Sequence, residues 1–308
     1  MAEPAETAAP EQARCGFIAL IGAPNAGKST LVNALVGTKV SIVSHKVQTT
    51  RASLRGIAIE GKSQLVFIDT PGIFAPRRRL DRAMVTAAWG VAHDADLVGV
   101  LIDARRGLDD DIAVMLDRVS DVRQARFLVL NKIDLVEKPG LLALAQAANR
   151  RASFETTFMI SALRGEGVAD IRRWLAARVP AGPWHYPEDQ ISDAPLRQLA
   201  AEITREKLYL RLHQELPYHS TVETAAWKEL ADGSVRIEQT IYVERESQRK
   251  IVLGKGGATI KAIGSEARRE IAGAVEAPVH LMLFVKVREN WGDDPERYRE
   301  IGLEFPTD

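Results

Sequence analysis

The chain has 308 residues, of which 46% are hydrophobic, and its 41 basic and 41 acidic residues give a formal net charge of zero. This length is enough for two domains with separate cores, and a single cysteine, Cys15, excludes an internal disulfide and a cysteine-based zinc site. The sequence contains no apolar run of the roughly 18 residues that span a membrane, and its first residues lack the basic start and apolar core of a secretory signal. We therefore expect a cytoplasmic protein in which residues 1–13, rich in Ala, Pro and Glu, form a disordered extension.

The first strand, loop and helix patterns surround a phosphate-binding motif. The run Gly22-Ala-Pro-Asn-Ala-Gly-Lys-Ser-Thr30 fits G-x-x-x-x-G-K-[ST] and lies between an apolar run, 16–21, and a helical pattern, 31–36. Backbone N–H groups of such a loop hold a di- or triphosphate together with the N-terminus of the following helix. Lys28 would reach the β- and γ-phosphates, and the Ser29 hydroxyl would ligate Mg²⁺. The nucleotide contacts expected from this motif are Gly22, Ala23, Pro24, Asn25, Ala26, Gly27, Lys28, Ser29 and Thr30.

Strand and helix signals alternate as far as about residue 179, which predicts a mostly parallel sheet with helices on both faces. Three further motifs follow strands at their C-terminal ends, where open α/β sheets bind ligands. The first is Asp69-Thr-Pro-Gly72, which ends the strand pattern at 64–69. We expect Asp69 to hold Mg²⁺ through water and Gly72 to offer its N–H to a γ-phosphate.

The second of these motifs, Asn131-Lys-Ile-Asp134, follows the strand pattern at 126–130 and predicts a guanine site. The Asp134 carboxylate can accept hydrogen bonds from N1–H and the exocyclic amine of guanine. Adenine has no such donor pair, so the motif favours GTP over ATP. We expect Asn131 to tie this loop to the phosphate loop and the stem of Lys132 to lie along the base.

The third motif, Ser161-Ala-Leu163, ends the strand pattern at 157–160. Its Ala162 N–H is expected to donate to O6 of guanine. Each short motif is weak evidence alone, but in this order, each at the end of a strand, they predict a guanine-nucleotide site. A general P-loop ATPase is the alternative, and the carboxylate of Asp134 disfavours it.

The alternation ends at a proline- and glycine-rich run, 180–187. We predict a linker at residues 181–194, between a first domain at 14–180 and a second domain at 195–300. The second domain begins with a helical pattern from Leu196, and two strand patterns follow on either side of the hairpin signal Asp232-Gly233.

A G-x-x-G loop, Gly254-Lys-Gly-Gly257, follows these strands and precedes further helix and strand patterns. Small residues in such a loop let a nucleic-acid backbone approach closely, and the loop clamps about four unpaired nucleotides. A G-x-x-G match alone is weak, and a structural glycine turn is the alternative. The order of elements and the nearby basic residues favour single-stranded RNA, with contacts expected from Lys250, Gly254, Lys255, Gly256, Gly257 and Lys261.

Taken together, the motifs resemble the Era family of GTPases. The resemblance rests on Pro24-Asn25, Gln48-Thr-Thr-Arg51, Asp69-Thr-Pro-Gly72, Asn131-Lys-Ile-Asp134 and Lys286-Val-Arg-Glu-Asn-Trp291. It implies an α/β P-loop GTPase domain followed by an α+β type II KH domain, and a switch that binds and hydrolyses GTP with Mg²⁺. It also implies binding to the 3′ end of 16S rRNA, a role in biogenesis of the small (30S) ribosomal subunit, and peripheral association with the inner face of the cell membrane. We expect a monomer.

By the same resemblance, residues 44–51 and 72–82 are the two switch segments, which the γ-phosphate orders and hydrolysis releases. One switch threonine completes the magnesium shell, and Thr50 is favoured over Thr49 because related families place it directly before the arginine. The expected metal ligands are then Ser29, Thr50 and Asp69. The expected catalytic residues are Asn25, Lys28, Thr50 and Gly72, with Asn25 helping to hold a potassium ion.

Ile73 stands where Ras-type proteins carry a glutamine that orients the attacking water. A hydrocarbon side chain cannot orient water, so we expect slow unaided turnover, on the order of 10⁻³ s⁻¹. The missing glutamine also leaves a second function open, that of an RNA chaperone that uses GTP as a structural ligand with little turnover.

Overall fold

The computed structural model describes residues 12–44, 46, 49–51, 53–212, 220–289, 295, 298 and 302–306. The predicted extension up to residue 11, Gln48 in the first switch segment, and Asn290 and Trp291 in the C-terminal motif lie outside these ranges. Within them, no helix has the length and apolar character needed to cross a bilayer.

Six strands form the first sheet, in the order β2-β3-β1-β4-β5-β6, with only the pair β2 and β3 antiparallel. These strands are β1 (Arg14–Gly22), β2 (Leu54–Glu60), β3 (Ser63–Asp69), β4 (Leu97–Asp103), β5 (Ala125–Asn131) and β6 (Thr156–Ile160). β3 and β4 are buried along their whole length, as expected for strands that are covered on both faces.

Five helices cover the two faces of this sheet: α1 (Lys28–Val36), α2 (Arg79–Asp94), α3 (Asp110–Val119), α4 (Lys138–Arg151) and α5 (Val168–Ala176). α1 and α5 pack on one face, and α2, α3 and α4 on the other. Because the parallel strands end at the same edge, the three loops that follow β1, β3 and β5 meet there. The predicted α/β class is confirmed.

The second part of the chain has a three-stranded sheet in the order β7-β8-β9, with β7 antiparallel and β9 parallel to β8. Its elements are α6 (Leu196–Arg211), β7 (Ser220–Glu229), β8 (Val235–Val243), α7 (Glu246–Leu253), α8 (Ala258–Val275) and β9 (Val279–Val287). Apolar residues of the helices and of β8 form its core. The apolar segment before the G-x-x-G loop is a helix, α7, and the resulting order confirms the predicted α+β KH fold.

The predicted linker lies along the edge of the first sheet. The Ile57 N–H of β2 donates to the carbonyl of Ile191 over 2.9 Å. The side chain of Gln64 accepts from the N–H groups of His185 (2.9 Å) and Tyr186 (3.0 Å) and donates to the Tyr186 carbonyl (2.8 Å). The Ile57 bond occupies a backbone group of the edge strand β2 that would otherwise be open, and all four bonds fix the path of the chain between the two sheets.

Gly99 in β4 has no room for a side chain, because a Cβ there would lie 2.5 Å from Cζ of Phe127 and 2.8 Å from Cδ2 of Leu20. We expect Gly99→Ala to lower the free energy of unfolding by about 1–3 kcal/mol through overpacking, measured by urea denaturation. The matched control is Gly90→Ala in α2, where no atom outside the helix backbone lies within 4 Å. Gly90→Ala should raise the free energy of unfolding by about 0.5–1 kcal/mol, since alanine favours a helix more than glycine does. Equal unfolding midpoints for the two variants would contradict this account of the core.

Candidate nucleotide site and RNA-binding loop

A cavity of about 470 Å³ opens where the strands of the first sheet end. Its walls combine the phosphate loop, parts of both switch segments and the guanine motifs. The lining residues are Pro24, Asn25, Gly27, Lys28, Ser29, Thr30, Ile42, Val43, Ser44, Thr49, Thr50, Thr70, Gly72, Arg105, Asn131, Lys132, Asp134, Leu135, Ser161 and Leu163. The other predicted contact residues are absent from this lining: Gly22, Ala23, Ala26, Asp69 and Ala162. Four lining residues lie outside every predicted motif and switch segment, namely Ile42, Val43, Arg105 and Leu135.

The phosphate loop joins β1 to α1 through residues with left-handed backbone conformations. Asn25 has φ +62° and Gly27 has φ +99°. A Cβ at Gly27 would lie 2.2 Å from Nδ2 of Asn131, so only glycine lets that amide approach the loop. The Leu31 N–H makes the first bond of α1, to the Gly27 carbonyl over 2.9 Å. The N–H groups that precede it have no intrahelical acceptor and are available to an anion.

Lys28 is buried beneath this loop, with 6% of its surface exposed. Its Nζ donates to the carbonyls of Gly22 (3.0 Å) and Ala23 (3.1 Å). Burial lowers the pKa of Lys28 to about 8, and the charge of Asp69 opposes that shift. A phosphate beside Nζ would raise the pKa again, because a nearby negative charge favours the charged lysine.

Three oxygen-bearing side chains converge beside Lys28. Ser29 Oγ lies 2.7 Å from Asp69 Oδ2 and 3.0 Å from Thr50 Oγ1, which itself lies 3.2 Å from Asp69 Oδ2. Asp69 has no exposed surface, and its Oδ1 has no hydrogen-bond partner among the described residues. Burial raises the pKa of the Asp69 carboxyl, whereas hydrogen bonds from Ser29 and Thr50 and the charge of Lys28 lower it.

This donor set fits magnesium. Mg²⁺ prefers oxygen ligands in an octahedron with bonds of about 2.1 Å, so neighbouring ligands lie about 3 Å apart. Thr50 and Ser29 have that spacing. Thr49 does not take part, because its Oγ1 donates to the Lys46 carbonyl over 2.8 Å and lies 2.7 Å from Ser44 Oγ. Of the two candidate threonines, Thr50 is the one that reaches the Ser29–Asp69 pair.

The segment after Asp69 lies directly against the phosphate loop. A Cβ at Gly72 would lie 2.8 Å from Cγ and 2.9 Å from the nitrogen of Pro24. The next residue, Ile73, donates its N–H to the Gly22 carbonyl over 3.0 Å, and its side chain belongs to the core beneath α2 and α3. Position 73 therefore presents no polar group to the cavity.

Asn131 connects the guanine motifs to the phosphate loop. Its Nδ2 donates to the Ala26 carbonyl over 2.9 Å, and its Oδ1 accepts from the N–H groups of Lys132 (2.8 Å) and Ala162 (3.0 Å). The first of these contacts is the tie expected from the sequence. The last one differs from expectation, because the Ala162 N–H that was assigned to guanine O6 already has an acceptor. The orientation of the Asn131 side-chain amide depends on the positions of three loops, and these positions cannot be inferred from the sequence.

Lys132 and Asp134, the residues expected to contact the base, both line the cavity. Lys132 has φ +68°, and its Nζ donates to the Asn25 carbonyl (2.6 Å) and to Asp103 Oδ2 (2.7 Å). The side chain of Asp134 is 8% exposed, with Arg164 Nε 3.5 Å away. Asp103 was not predicted as part of the site, although it ends β4 and so lies at the same edge of the sheet as the other motifs.

The G-x-x-G loop connects α7 to α8 and is built from left-handed glycines. Gly254, Gly256 and Gly257 have φ of +72°, +60° and +78°. A Cβ at Gly254 would lie 2.2 Å from Thr259 Oγ1, whereas a Cβ at Gly256 would meet no atom within 4 Å. Lys255 and Gly256 are exposed at the N-terminus of α8. Lys250 and Lys261 are also exposed, on the helices that flank the loop.

The first switch segment and Val43, directly before it, also contact α6, through residues that sequence analysis missed. Arg205 donates to the Thr49 carbonyl, and Glu206 accepts from the Val43 N–H. The run Thr204-Arg-Glu-Lys207 is polar and charged, as is typical of an exposed helical segment, yet all four residues are buried. No sequence pattern distinguishes a charged helix face that is exposed from one that meets another domain.

The fold and the site together define a P-loop GTPase with a C-terminal KH domain. The family model described as "50S ribosome-binding GTPase" matches residues 17–132, and the KH domain model matches residues 215–292. The chain is 70% identical to GTPase Era of Afipia carboxidovorans over 295 residues, which are 96% of each chain. It is 69% identical to GTPase Era of Brucella suis over 296 residues, which are 96% of this chain and 95% of that protein.

Two solved structures match the chain over both domains. One is Era in complex with MgGDPNP and nucleotides 1506–1542 of 16S ribosomal RNA, with a TM-score of 0.89, 35% identity and coverage of 94% of this chain and 99% of that one. The other is a variant of Aquifex aeolicus Era bound to GDP·AlF4⁻, with a TM-score of 0.88 and the same identity and coverage. The chain belongs to the Era family and is a GTPase.

We expect the affinity for GDP to fall as the pH rises above about 8, the pKa of Lys28. Below that pH the lysine is already charged. Above it, binding must take up a proton, because the phosphates favour the charged form. Titration of a single group with this pKa should raise the Kd for GDP about sixfold between about pH 7 and 8.75. Fluorescence titrations with GDP at each pH measure this change. Lys28→Arg, whose guanidinium does not titrate in this range, should lose the pH dependence, and a flat wild-type profile would contradict the role of the buried lysine.

Proposed function

We propose that this protein is a GTP-driven switch that binds single-stranded RNA at the 3′ end of 16S rRNA during biogenesis of the small ribosomal subunit. The observation that carries the proposal is the presence, in one chain, of a cavity lined by the phosphate loop and the Asn131–Asp134 motif and of an exposed G-x-x-G loop. The relative solved with MgGDPNP and 16S rRNA nucleotides supports the choice of RNA, because its fold matches this chain across both domains.

In this proposal the phosphate loop, Gly22 to Thr30, surrounds the phosphates and Lys28 neutralises their charge. The hydroxyls of Ser29 and Thr50 hold Mg²⁺ directly, and Asp69 holds it through water. When bound, the metal neutralises charge that develops on the phosphates. Gly72 donates its N–H to the γ-phosphate, which makes the second switch segment sensitive to hydrolysis. The convergence of the three oxygens beside the buried lysine supports these roles.

Asp134 recognises guanine, and the stem of Lys132 lies along the base. Asn131 holds the base-binding loop and the phosphate loop together. The O6 acceptor is served from the Ser161–Leu163 turn, where the Ala162 N–H is shared with or released by Asn131. The low exposure of the Asp134 side chain supports strong selection for guanine, because a buried carboxylate is costly when its partners are missing.

Hydrolysis without a partner is slow, on the order of 10⁻³ s⁻¹, by analogy with the intrinsic rates of Ras-like GTPases. The buried side chain of Ile73 supports this rate. We also propose that Asn25, which lines the cavity beside Gly27 and Lys28, helps to hold a potassium ion. The family resemblance supports a cytoplasmic monomer that associates peripherally with the inner face of the cell membrane.

In the KH domain, Gly254 to Gly257 let the RNA backbone approach α8, and Lys250, Lys255 and Lys261 contact phosphates. The open space at Gly256 and the exposure of the three lysines support this interface. The second candidate function is an RNA chaperone with GTP as a structural ligand, which the lack of a water-orienting residue at Ile73 favours.

We expect Asp134→Asn to weaken GDP binding by roughly 10²- to 10⁴-fold, since two hydrogen bonds to a charged group are lost. The new amide can still accept from N1–H, but its NH2 group opposes the exocyclic amine of guanine and matches the 2-oxo group of xanthine, so XDP should bind more tightly than GDP. Competition titrations measure both affinities. Glu166→Gln removes an exposed carboxylate close by and should change neither affinity. A GDP preference that survives in Asp134→Asn would contradict the assignment.

Multiple-turnover GTP hydrolysis, measured with and without a short RNA from the 3′ end of 16S rRNA, tests the whole proposal. We expect the RNA to raise the rate of the wild type. Gly256→Asp should bind the RNA at least about tenfold more weakly and lose the stimulation, because it adds a negative charge where phosphates lie. Aspartate tolerates the left-handed conformation of that position, so the fold is retained.

Gly273→Asp is the matched control, because it places the same charge at the far, open end of α8. It should behave as the wild type does. RNA binding without any change in rate would contradict the coupling, and no turnover with RNA present would favour the chaperone. The same assay in potassium and sodium buffers tests the role of Asn25.

A further inference from the structure

We propose that Arg205, on the first helix of the KH domain, is a positioning residue for GTP hydrolysis. Its guanidinium holds the peptide before Thr50, so that Thr50 stays in reach of Ser29 and Asp69. The inference deepens the proposed function and rests on it, because it assumes that Thr50 ligates the Mg²⁺ of the nucleotide.

Arg205 makes a short and well-fixed contact with the first switch segment. Its Nη2 donates to the carbonyl of Thr49 over 2.5 Å, and that carbonyl belongs to the peptide that Thr50 continues. The arginine is 2% exposed. Glu202 accepts from its Nε over 2.9 Å, and the guanidinium carbon lies 5.2 Å from the centre of the Tyr209 ring. A guanidinium held on two other sides has little freedom to follow a moving carbonyl, so it restrains that carbonyl instead.

The peptide after Thr50 is restrained by the KH domain as well. Arg51 is 4% exposed, and its Nη1 donates to the Ser220 carbonyl over 2.9 Å while its Nη2 donates to the Tyr209 hydroxyl over 3.0 Å. Thr50, 8% exposed, therefore lies between two buried arginine contacts with the same domain. Neither arginine lines the nucleotide cavity, so both act on the threonine through the backbone.

The residue next to Arg205 holds the beginning of the same stretch of chain. Glu206 accepts from the Val43 N–H over 2.8 Å and from Nζ of Lys39 and Lys207, each over 2.7 Å. Both lysines also pair with Glu270 of α8. α6 thus fixes the chain at Val43 and again at Thr49, directly before Thr50, which limits the positions that Thr50 can adopt.

A pre-positioned threonine changes the chemistry of the site. In GTPases the switch segment is ordered when it joins the γ-phosphate and Mg²⁺, and that ordering has an entropy cost. Contacts that already hold the segment reduce the cost, so the metal binds the triphosphate state more tightly and the reacting groups stay aligned. These contacts do not raise the affinity for GDP, because Thr50 is not needed when no γ-phosphate is present.

The test is Arg205→Ala in the full-length protein, assayed without RNA. We expect kcat to fall roughly tenfold, which is the value of one charge-assisted hydrogen bond, and the Mg²⁺ concentration for half-maximal hydrolysis to rise by a similar factor. GDP affinity should stay unchanged. Arg211→Ala is the matched control, since Arg211 lies on the same helix and pairs with Glu266 of the same domain. It should leave kcat and the Mg²⁺ dependence as in the wild type.

Two further variants separate positioning from a general effect on structure. Thr50→Ala combined with Arg205→Ala should be no slower than Thr50→Ala alone, because residues that act through one group are not additive. Arg205→Lys keeps the charge beside Glu202 and one donor for Thr49, so its rate and Mg²⁺ dependence should lie between those of wild type and Arg205→Ala. Wild-type kinetics in Arg205→Ala, or full additivity with Thr50→Ala, would overturn the inference. An inactive wild type would instead refute the proposed function.

Discussion

A carboxylate with no exposed surface governs the organisation of the nucleotide site. Burying the charge of Asp69 costs several kcal/mol unless other groups compensate it. Ser29 and Lys28 of the phosphate loop and Thr50 of the first switch segment supply that compensation. The register of the sheet makes it possible, because Asp69 at the end of β3 pairs with Leu20 of β1, two residues before the phosphate loop begins. Sheet order, loop path and switch position are therefore linked through one side chain.

The features that follow from local sequence are those that could be predicted. The phosphate loop, the acid at the end of β3 and the Asn131–Asp134 run need only a strand, a turn and a helix in the right order, and the structure brings them to one edge of the sheet. Likewise, the left-handed glycines of the G-x-x-G loop have a purely local cause. In both places the backbone conformation is set within a few residues, so a single sequence is sufficient.

The contacts that sequence analysis missed all depend on distant segments. The Ala162 N–H turns to Asn131 because two loops separated by about thirty residues meet there. Arg205 and Glu206 have the composition of surface residues, and only the arrangement of two domains buries them. A charged residue carries no periodic apolar signal, so its burial at a domain contact is invisible until the partner surface is known.

The anchored linker has a consequence for how firmly the two domains need to hold each other. Arg55 of β2 pairs with Asp193 over 3.1 Å, and α6 begins at Leu196, so the chain is unattached for only two residues. So short a tether keeps the KH domain at an effective concentration in the millimolar range or above relative to the switch segment. Contacts that would be too weak to join two separate molecules are then enough to keep α6 docked. A modest change in their strength is also enough to release it.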